Sequence, residues 1–427
     1  MLTPDLRAAL TEAVDAGFDA QIALTADLVR FPSTRGAEAT AQDFMADQMR
    51  RRGLSVDRFL VDLDEIRHLP GFSPVAVSYD NAWNVVCTYR AADPKGRSLI
   101  LNGHIDVVPA GPLDMWTTPP FDPRVTGDWL YGRGGGDMKA GQVACLAALD
   151  AIERAGFRPA ADVIVQSVVE EECTGNGALA CLAKGYRADA VLIPEPLHDC
   201  LTRVQLGVLW FKVDVRGLPV HASDATEGAN AIEAAYELMR ALRGLEARWN
   251  ARKCDHAHYE DSEHPINMNV GRIEGGDWVS SVPAWCRFEV RIAIYPDQTI
   301  AEAKREIEET LREAAGGTAF LRNMLPEVTY HGFEAEGYLL RDAEVPVGIL
   351  AGAHRAVFGT DLQEVASTAT TDARFFGLYG RMPALVYGPV AEATHGFDER
   401  VSLSSLNKVT KAMVLFIAEW CGLDPIG

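Results

Sequence analysis

Five loops punctuated by glycine or proline, each following an apolar run, deliver one residue able to ligate a transition metal: His104, Asp137, Glu172, Glu195 and His395. Side chains this far apart in sequence meet when the runs they follow are strands opening on one edge. The pattern therefore predicts an open α/β sheet with its site at the strand C-termini. Two imidazoles and three carboxylates suffice for a pair of divalent cations sharing one carboxylate. Two such ions bring about four positive charges against about three negative ones, and one hydroxide then brings the site near neutrality.

With 427 residues the chain is too long for one hydrophobic core, and about two domains are expected. Residues 5–31 and 38–53 read as helices, and 62–80 as an irregular segment. Strands are expected at 85–88 and 98–101, then a small-residue helix at 138–156. Residues 162–169 and 190–193 are near-continuous apolar runs flanking a helix at 176–185, as buried parallel strands are. The pattern changes near residue 206. Leu209–Val215 alternates like a half-exposed strand, followed by helix 228–247, a polar stretch at 250–264, strands 266–273 and 286–294, helix 298–315 and strand 328–331. Strand–helix–strand–strand–helix–strand is a compact α+β unit of ferredoxin-like type. Buried alternation returns with helix 345–358, strand 384–387 and helix 402–421. The predicted architecture is α/β: a catalytic domain over 1–206 and 334–427, with a mainly parallel sheet and helices on both faces, interrupted by an α+β lid and dimerisation domain over 207–333.

A net charge of -20 argues against nucleic acid and anionic membranes as partners, and an anionic substrate would need local arginines. The eight cysteines include no CxxC pair and read as reduced, mostly buried thiols. The acidic, amphipathic first residues lack the features of a signal peptide, and no apolar stretch approaches the roughly 18 residues of a membrane span. A cytoplasmic location is expected.

Each motif has a bland reading beside the chemical one. In His104-Ile105-Asp106, Asp106 could accept the second imidazole N–H of His104, or the histidine could be an ordinary loop residue. Gly132–Lys139 lacks the phosphate-loop frame, and Asp137 stands where a dinucleotide fingerprint needs glycine. Its glycines fit a backbone passing close to something compact, such as a metal pair, or a plain turn before a helix. Val168-Val169-Glu170-Glu171-Glu172 ends a buried strand in three carboxylates, whose repulsion nearby cations would relieve. Period two sends Glu171 and Glu172 to different sides, so Glu172 can ligate while Glu171 stays free as a base. The bland alternative is an acidic helix cap. Glu195 is held between Pro194 and Pro196. Cys254-Asp255-His256-Ala257-His258 with His264 looks metal-rich but reads as a solvated lid loop. No GxSxG elbow and no HExxH occur.

These segments together resemble a known family: the dinuclear metallo-aminoacylases and metallopeptidases that include acetylornithine deacetylase, succinyl-diaminopimelate desuccinylase, aminoacylase and glutamate carboxypeptidase. The resemblance spans essentially the whole chain through NGHIDVVP (102–109), GRGGGDMKAG (132–141), EEECTGNGA (170–178), PEP (194–196), RGLPVHAS (216–223), TTDARFF (370–376) and THGFDE (394–399). It implies His104 and Glu195 on one metal, Glu172 and His395 on the other, and Asp137 bridging, with zinc the expected metal and cobalt or manganese as substitutes. It further implies Glu171 as general base and then acid, Asp106 orienting His104, and a cis peptide after Asp137. His221 would stabilise the oxyanion, often from across a dimer interface, and Arg374 would grip a substrate carboxylate. Arg291, at the end of Phe288–Arg291, is a second candidate for that grip.

The lid departs from the family pattern. Many members carry Asn-Val-Val-Pro where this chain reads Ser280-Ser281-Val282-Pro283, Arg291 arrives two residues early, and Cys173–Asn176 is unusual. The expected activity is hydrolysis of an N-acyl amino acid or similar small, carboxylate-bearing substrate by a homodimer, through a hydroxide shared between the metals. Rival readings are a dipeptidase or carboxypeptidase, an amidohydrolase releasing ammonia, and a non-catalytic binding protein on the same fold.

Overall fold

A computed structural model describes residues 2–317 and 320–426. Helices α1 (Pro4–Val29) and α2 (Ala39–Arg51) precede strands β1 (Ser55–Leu60), β2 (Trp83–Tyr89) and β3 (Leu99–His104). Then come α3 (Ala140–Arg154), β4 (Val163–Val168), α4 (Asn176–Ala183) and β5 (Ala190–Ile193). A second unit contains β6 (Gly207–Arg216), α5 (Ala231–Ala251), β7 (Met268–Gly275), β8 (Trp285–Ile294), α6 (Ile300–Gly316) and β9 (Glu327–Ala335). The chain returns through α7 (Glu344–Phe358), β10 (Ala384–Val386) and α8 (Leu403–Cys421).

The central sheet has the order β1-β2-β4-β3-β5-β10. Strands β4, β3, β5 and β10 are mutually parallel, while β1 and β2 form an antiparallel pair at one edge. Every residue of β3, β4, β5 and β10 is buried. Successive side chains point to opposite sides, so both faces of this part of the sheet are covered. Helix α3 packs on α1 and α8, α8 on α7, and α2 on β1 and β2. The edge strand β1, Ser55-Val-Asp-Arg-Phe-Leu, has no buried residue, which is why its composition carries no strand signal.

The second unit is a four-stranded antiparallel sheet in the order β7-β8-β6-β9. In β6, burial alternates from Leu209 onward, as a sheet with one covered face requires. That face meets α5 and α6 through Leu238, Leu242, Leu245, Trp249, Phe211, Phe288 and Ile307, all fully buried. Truncating one of these leucines to alanine would cost about 2–5 kcal/mol. Thr299 and Glu302 cap α6 reciprocally.

A small sheet missing from the sequence reading pairs Leu201–Gln205 with Tyr338–Leu339 and Glu364–Ser367. Its strands are short, and the last alternates between exposed and half-buried residues, leaving no apolar run to read. The helix expected from residue 138 starts at Ala140 instead, because Gly135–Lys139 forms a wide turn containing a cis Asp137-Met138 peptide. The eight cysteines are free, and six of them (87, 145, 173, 181, 286 and 421) are buried. Among the described residues no helix is long and apolar enough to cross a membrane.

Candidate metal centre

Three adjacent parallel strands end side by side at the site. His104 is the last residue of β3, Glu170–Glu172 follow β4, and Glu195 follows β5. Asp137 comes from the turn before α3, and His395 from the loop before α8. The five residues converge. His104 Nε2 lies 3.2 Å from Asp137 Oδ1, 3.8 Å from Glu195 and 3.9 Å from Glu171. His395 Nε2 lies 3.5 Å from Asp137 Oδ2 and 3.1 Å from Glu172. Asp137 thus presents one oxygen to each histidine. Ligand atoms of His104, Glu171 and Glu195, and of His104, Asp137 and Glu172, all lie within 4.8 Å of one another.

The electrostatics describe a site short of positive charge. Burial pushes the Glu171 and Glu195 carboxyls well above their usual range, and neighbouring carboxylates add to the effect. Burial also acts on Asp137, but hydrogen bonds from His104 and His395 hold its pKa below the usual carboxylate value. His395 is driven up to about 11 by Asp137 and Glu172. Burial opposes charge on His104, yet Glu195, Asp137, Asp106 and Glu171 outweigh it and raise its pKa. Protons on the two imidazoles thus take the place that divalent cations would fill, and metal binding would displace them. The nitrogen and oxygen donors suit zinc, cobalt or manganese.

The orienting contact on His104 differs from the expectation. His104 Nδ1 donates to the backbone carbonyl of Asp106 at 2.9 Å, while the Asp106 carboxylate is 3.6 Å away, beyond hydrogen-bond range. The carbonyl fixes the tautomer that leaves Nε2 free. The carboxylate instead accepts the backbone N–H groups of Glu171 at 3.3 Å and Glu172 at 3.0 Å, shaping the turn that presents the base and a ligand. The glycines before Asp137 also make close approaches within the protein. A Cβ on Gly134 would stand 2.4 Å from Val107, and one on Gly136 2.7 Å from Ala391. The backbone there passes close to protein atoms.

Several residues given no role in the sequence reading hold the site. Glu170, at φ 70°, receives Arg35 through Nε at 2.5 Å and Nη2 at 2.7 Å, together with the Tyr79 and Thr174 hydroxyls. Glu399 accepts the N–H groups of Gly136 and Asp137 and pairs with Arg133. Asp372 is buried near the centre, and burial raises its pKa to about 7. Glu399 had a signal, an acid four residues after His395 in the same motif; Arg35 and Tyr79 had none, lying in irregular segments.

The remaining expected residues make other contacts. His221 is exposed on the second unit, its Nδ1 2.8 Å from Ser223 Oγ, and Ser281 faces it across an antiparallel bridge. Ser280 accepts the Ala222 N–H through its carbonyl. Arg374 is buried, with Nη2 donating to the Thr174 carbonyl at 2.7 Å and Nη1 unpartnered. Arg291 reaches the carbonyls of Asn267 and Thr368 at 3.5 Å each. His256 stacks on Tyr295 and contacts Asp297 at 2.6 Å, while His264 faces Glu246, so the histidine-rich loop forms no cluster among the described residues.

Comparison with known proteins agrees with this geometry. The profile of peptidase family M20/M25/M40 matches residues 100–419. An N-formyl-4-amino-5-aminomethyl-2-methylpyrimidine deformylase from Halalkalibacterium halodurans is 30% identical over 436 aligned positions, covering 96% of each chain. The protein of the same description from Bacillus subtilis is 28% identical, covering 91% of each. Among solved structures, the di-peptidase Dug1p from Saccharomyces cerevisiae superposes with a TM-score of 0.78 at 14% identity, covering 97% of this chain and 98% of that one.

Proposed function

The chain belongs to peptidase family M20/M25/M40 and is a metal-dependent hydrolase of carbon–nitrogen bonds in small substrates; we propose that it removes a formyl or other short acyl group from a small primary amine. The observation that carries the chemistry is the Asp137 carboxylate, one oxygen 3.2 Å from His104 and the other 3.5 Å from His395. We assign one divalent cation to His104 and Glu195, a second to Glu172 and His395, and Asp137 to both, with zinc as the metal and cobalt or manganese as substitutes. Bound there, the cations would supply Lewis acidity that brings the pKa of a water at the site toward neutrality. Glu171 takes the proton of the attacking water. Its burial favours the protonated form, so it can hold that proton until the C–N bond breaks and then pass it to the departing amine nitrogen.

The acyl-amine reading rests on the two deformylase relatives and on a sparse apparatus for a substrate carboxylate. Arg291 faces backbone carbonyls, Ser280 stands where many relatives place asparagine, and Arg374 donates through Nη2 to the Thr174 carbonyl and leaves Nη1 unpartnered. The two N–H groups of Nη1 can face a neutral acceptor on the amine portion. Residues 1–206 with 334–427 serve as the catalytic unit, and 207–333 as the lid. We also infer a homodimer formed through the lid. Trp278 is 74% and Val279 100% exposed beside Ser281, which pairs with His221. His221 would then reach the oxyanion of the partner's site. The free thiols fit a reducing, cytoplasmic compartment.

The test is release of free amine from N-formyl, N-acetyl and N-succinyl derivatives of small primary amines, beside N-acyl amino acids and dipeptides. The N-formyl amines should give the highest kcat/KM. Faster cleavage of dipeptides or N-acyl amino acids would reject the substrate assignment and leave the metal chemistry standing.

A further inference from the structure

We propose that Arg133 and Glu399 form a buried latch that sets the spacing of Asp137 and His395, and with it the affinity of the second metal position. The inference rests on the two-metal reading above. Both residues are about 1% exposed. Glu399 Oε1 accepts the backbone N–H of Gly136 at 3.0 Å and of Asp137 at 3.1 Å. Its other oxygen receives Arg133 Nη1 at 2.5 Å. Arg133 Nη2 continues across to the carbonyl of Gly396, the residue after His395, at 2.9 Å. The backbone closes the same gap again, Gly132 N–H donating to the Glu399 carbonyl at 2.9 Å. Two side chains therefore bind the segment bearing Asp137 to the segment bearing His395, through atoms next to each ligand.

The surroundings make the latch rigid. The Arg133 guanidinium lies over the Trp116 ring at 5.1 Å, and Trp116 meets Phe397 edge-on at 6.0 Å. Asp398 accepts the Thr117 N–H and hydroxyl at 2.9 and 2.7 Å. His395 needs this support. Its side chain is 53% exposed, its backbone sits at φ 61°, and its ring meets Glu172 and Asp137, the residues with which it would share a cation. A buried ion pair is in general a poor source of stability, because desolvating both charges offsets their attraction. This pair's position across two ligand-bearing segments points to placement of ligands instead. His104 and Glu195 are set by β3 and β5, so the first position shares only Asp137 with the latch, whereas the second shares both Asp137 and His395. The two positions should therefore respond differently when the latch is broken.

The experiment is equilibrium dialysis of the full chain against buffered cobalt(II), with elemental analysis and visible absorption, for wild type, Glu399→Gln, Arg133→Met and Arg133→Lys. Wild type should take up two cobalt ions. Glu399→Gln and Arg133→Met should weaken the second position at least 10-fold more than the first. Arg133→Lys, which keeps the charge but not the reach to Gly396, should fall between. Thermal melting of the metal-free proteins identifies any variant that fails to fold, and Arg133→Lys then carries the comparison. Both ions bound at wild-type affinity, or both weakened equally as a general loss of structure would produce, would overturn the latch. Fewer than two ions in wild type would reject the two-metal reading itself.

Discussion

Replacing Asp106 by asparagine separates stability from turnover, and the structure gives the size of both effects. The Asp106 carboxyl is buried, and burial raises its pKa from 3.8 to about 6, with Glu172 and Glu170 adding to the rise and His104 opposing it. That rise corresponds to about 3 kcal/mol of folding free energy. A raised carboxyl contributes stability that is fully present below pH 3.8 and is lost as pH climbs through about 6. At neutral pH the metal-free wild type therefore carries the whole penalty, and a neutral side chain relieves it. Against this, asparagine keeps one acceptor oxygen for the Glu172 N–H and turns its NH2 toward the Glu171 N–H, a mismatch of about 1–3 kcal/mol. The balance for metal-free Asp106→Asn is 0 to about 2 kcal/mol in the variant's favour at pH 7, turning to about 1–3 kcal/mol against it below pH 3.8, where only the mismatch remains. Turnover behaves oppositely. The turn that aims Glu171 loses a partner, and a loss of about 1.4–2.7 kcal/mol in the transition state lowers kcat/KM by about 10- to 100-fold. Urea unfolding of the metal-free proteins across pH, with steady-state kinetics of the metal-loaded ones, measures both. A variant destabilised by more than about 2 kcal/mol at pH 7, or one with wild-type kcat/KM, would refute this account of Asp106.

Glu171→Gln should lower kcat by at least about 100-fold while metal content stays near wild type, since it removes the proton carrier and keeps the shape; wild-type turnover in elemental-analysis-matched samples would end the base assignment. Glu172→Ala should lose at least one metal equivalent, and full retention on dialysis would contradict its role as a ligand. His221→Ala should leave the melting temperature unchanged, because the residue is exposed, yet lower kcat. Mixing it with Glu171→Gln subunits should restore part of the activity if His221 acts on a partner's site; no recovery in a confirmed mixed dimer would place it elsewhere. Val279→Asp should shift the sedimentation coefficient from dimer to monomer, and an unaltered dimer would remove that patch from the interface.

What was legible in the chain was whatever repeats a simple physical rule. Apolar runs such as Val163–Val168 can only be strands covered on both sides, and their ends marked His104, Glu172 and Glu195 without reference to any coordinates. The alternation of Leu209–Val215 disclosed a sheet with one wet face, and so a second unit. What stayed hidden were choices between chemically equivalent partners. His104 could take its acceptor from the Asp106 side chain or from its carbonyl, and only the backbone path decides for the carbonyl at 2.9 Å. The glycines of Gly132–Gly136 announce a close approach but not by what, and it is Val107 and Ala391. Arg35 and Tyr79 converge on Glu170 from loops with no periodicity, so nothing local marks them. Arg374 was marked by the resemblance alone, and nothing local foretold that one of its nitrogens donates to the Thr174 carbonyl.

The central claim, a two-metal hydrolase built on Asp137, is tested most directly by metal content before and after chelation, with kcat/KM on an N-formyl amine measured on the same samples. About two ions per chain, activity lost on chelation and restored by zinc, cobalt or manganese, is the predicted result. A chain that takes up no divalent metal after reconstitution, or one that turns over substrate at full rate when metal-free, would contradict it.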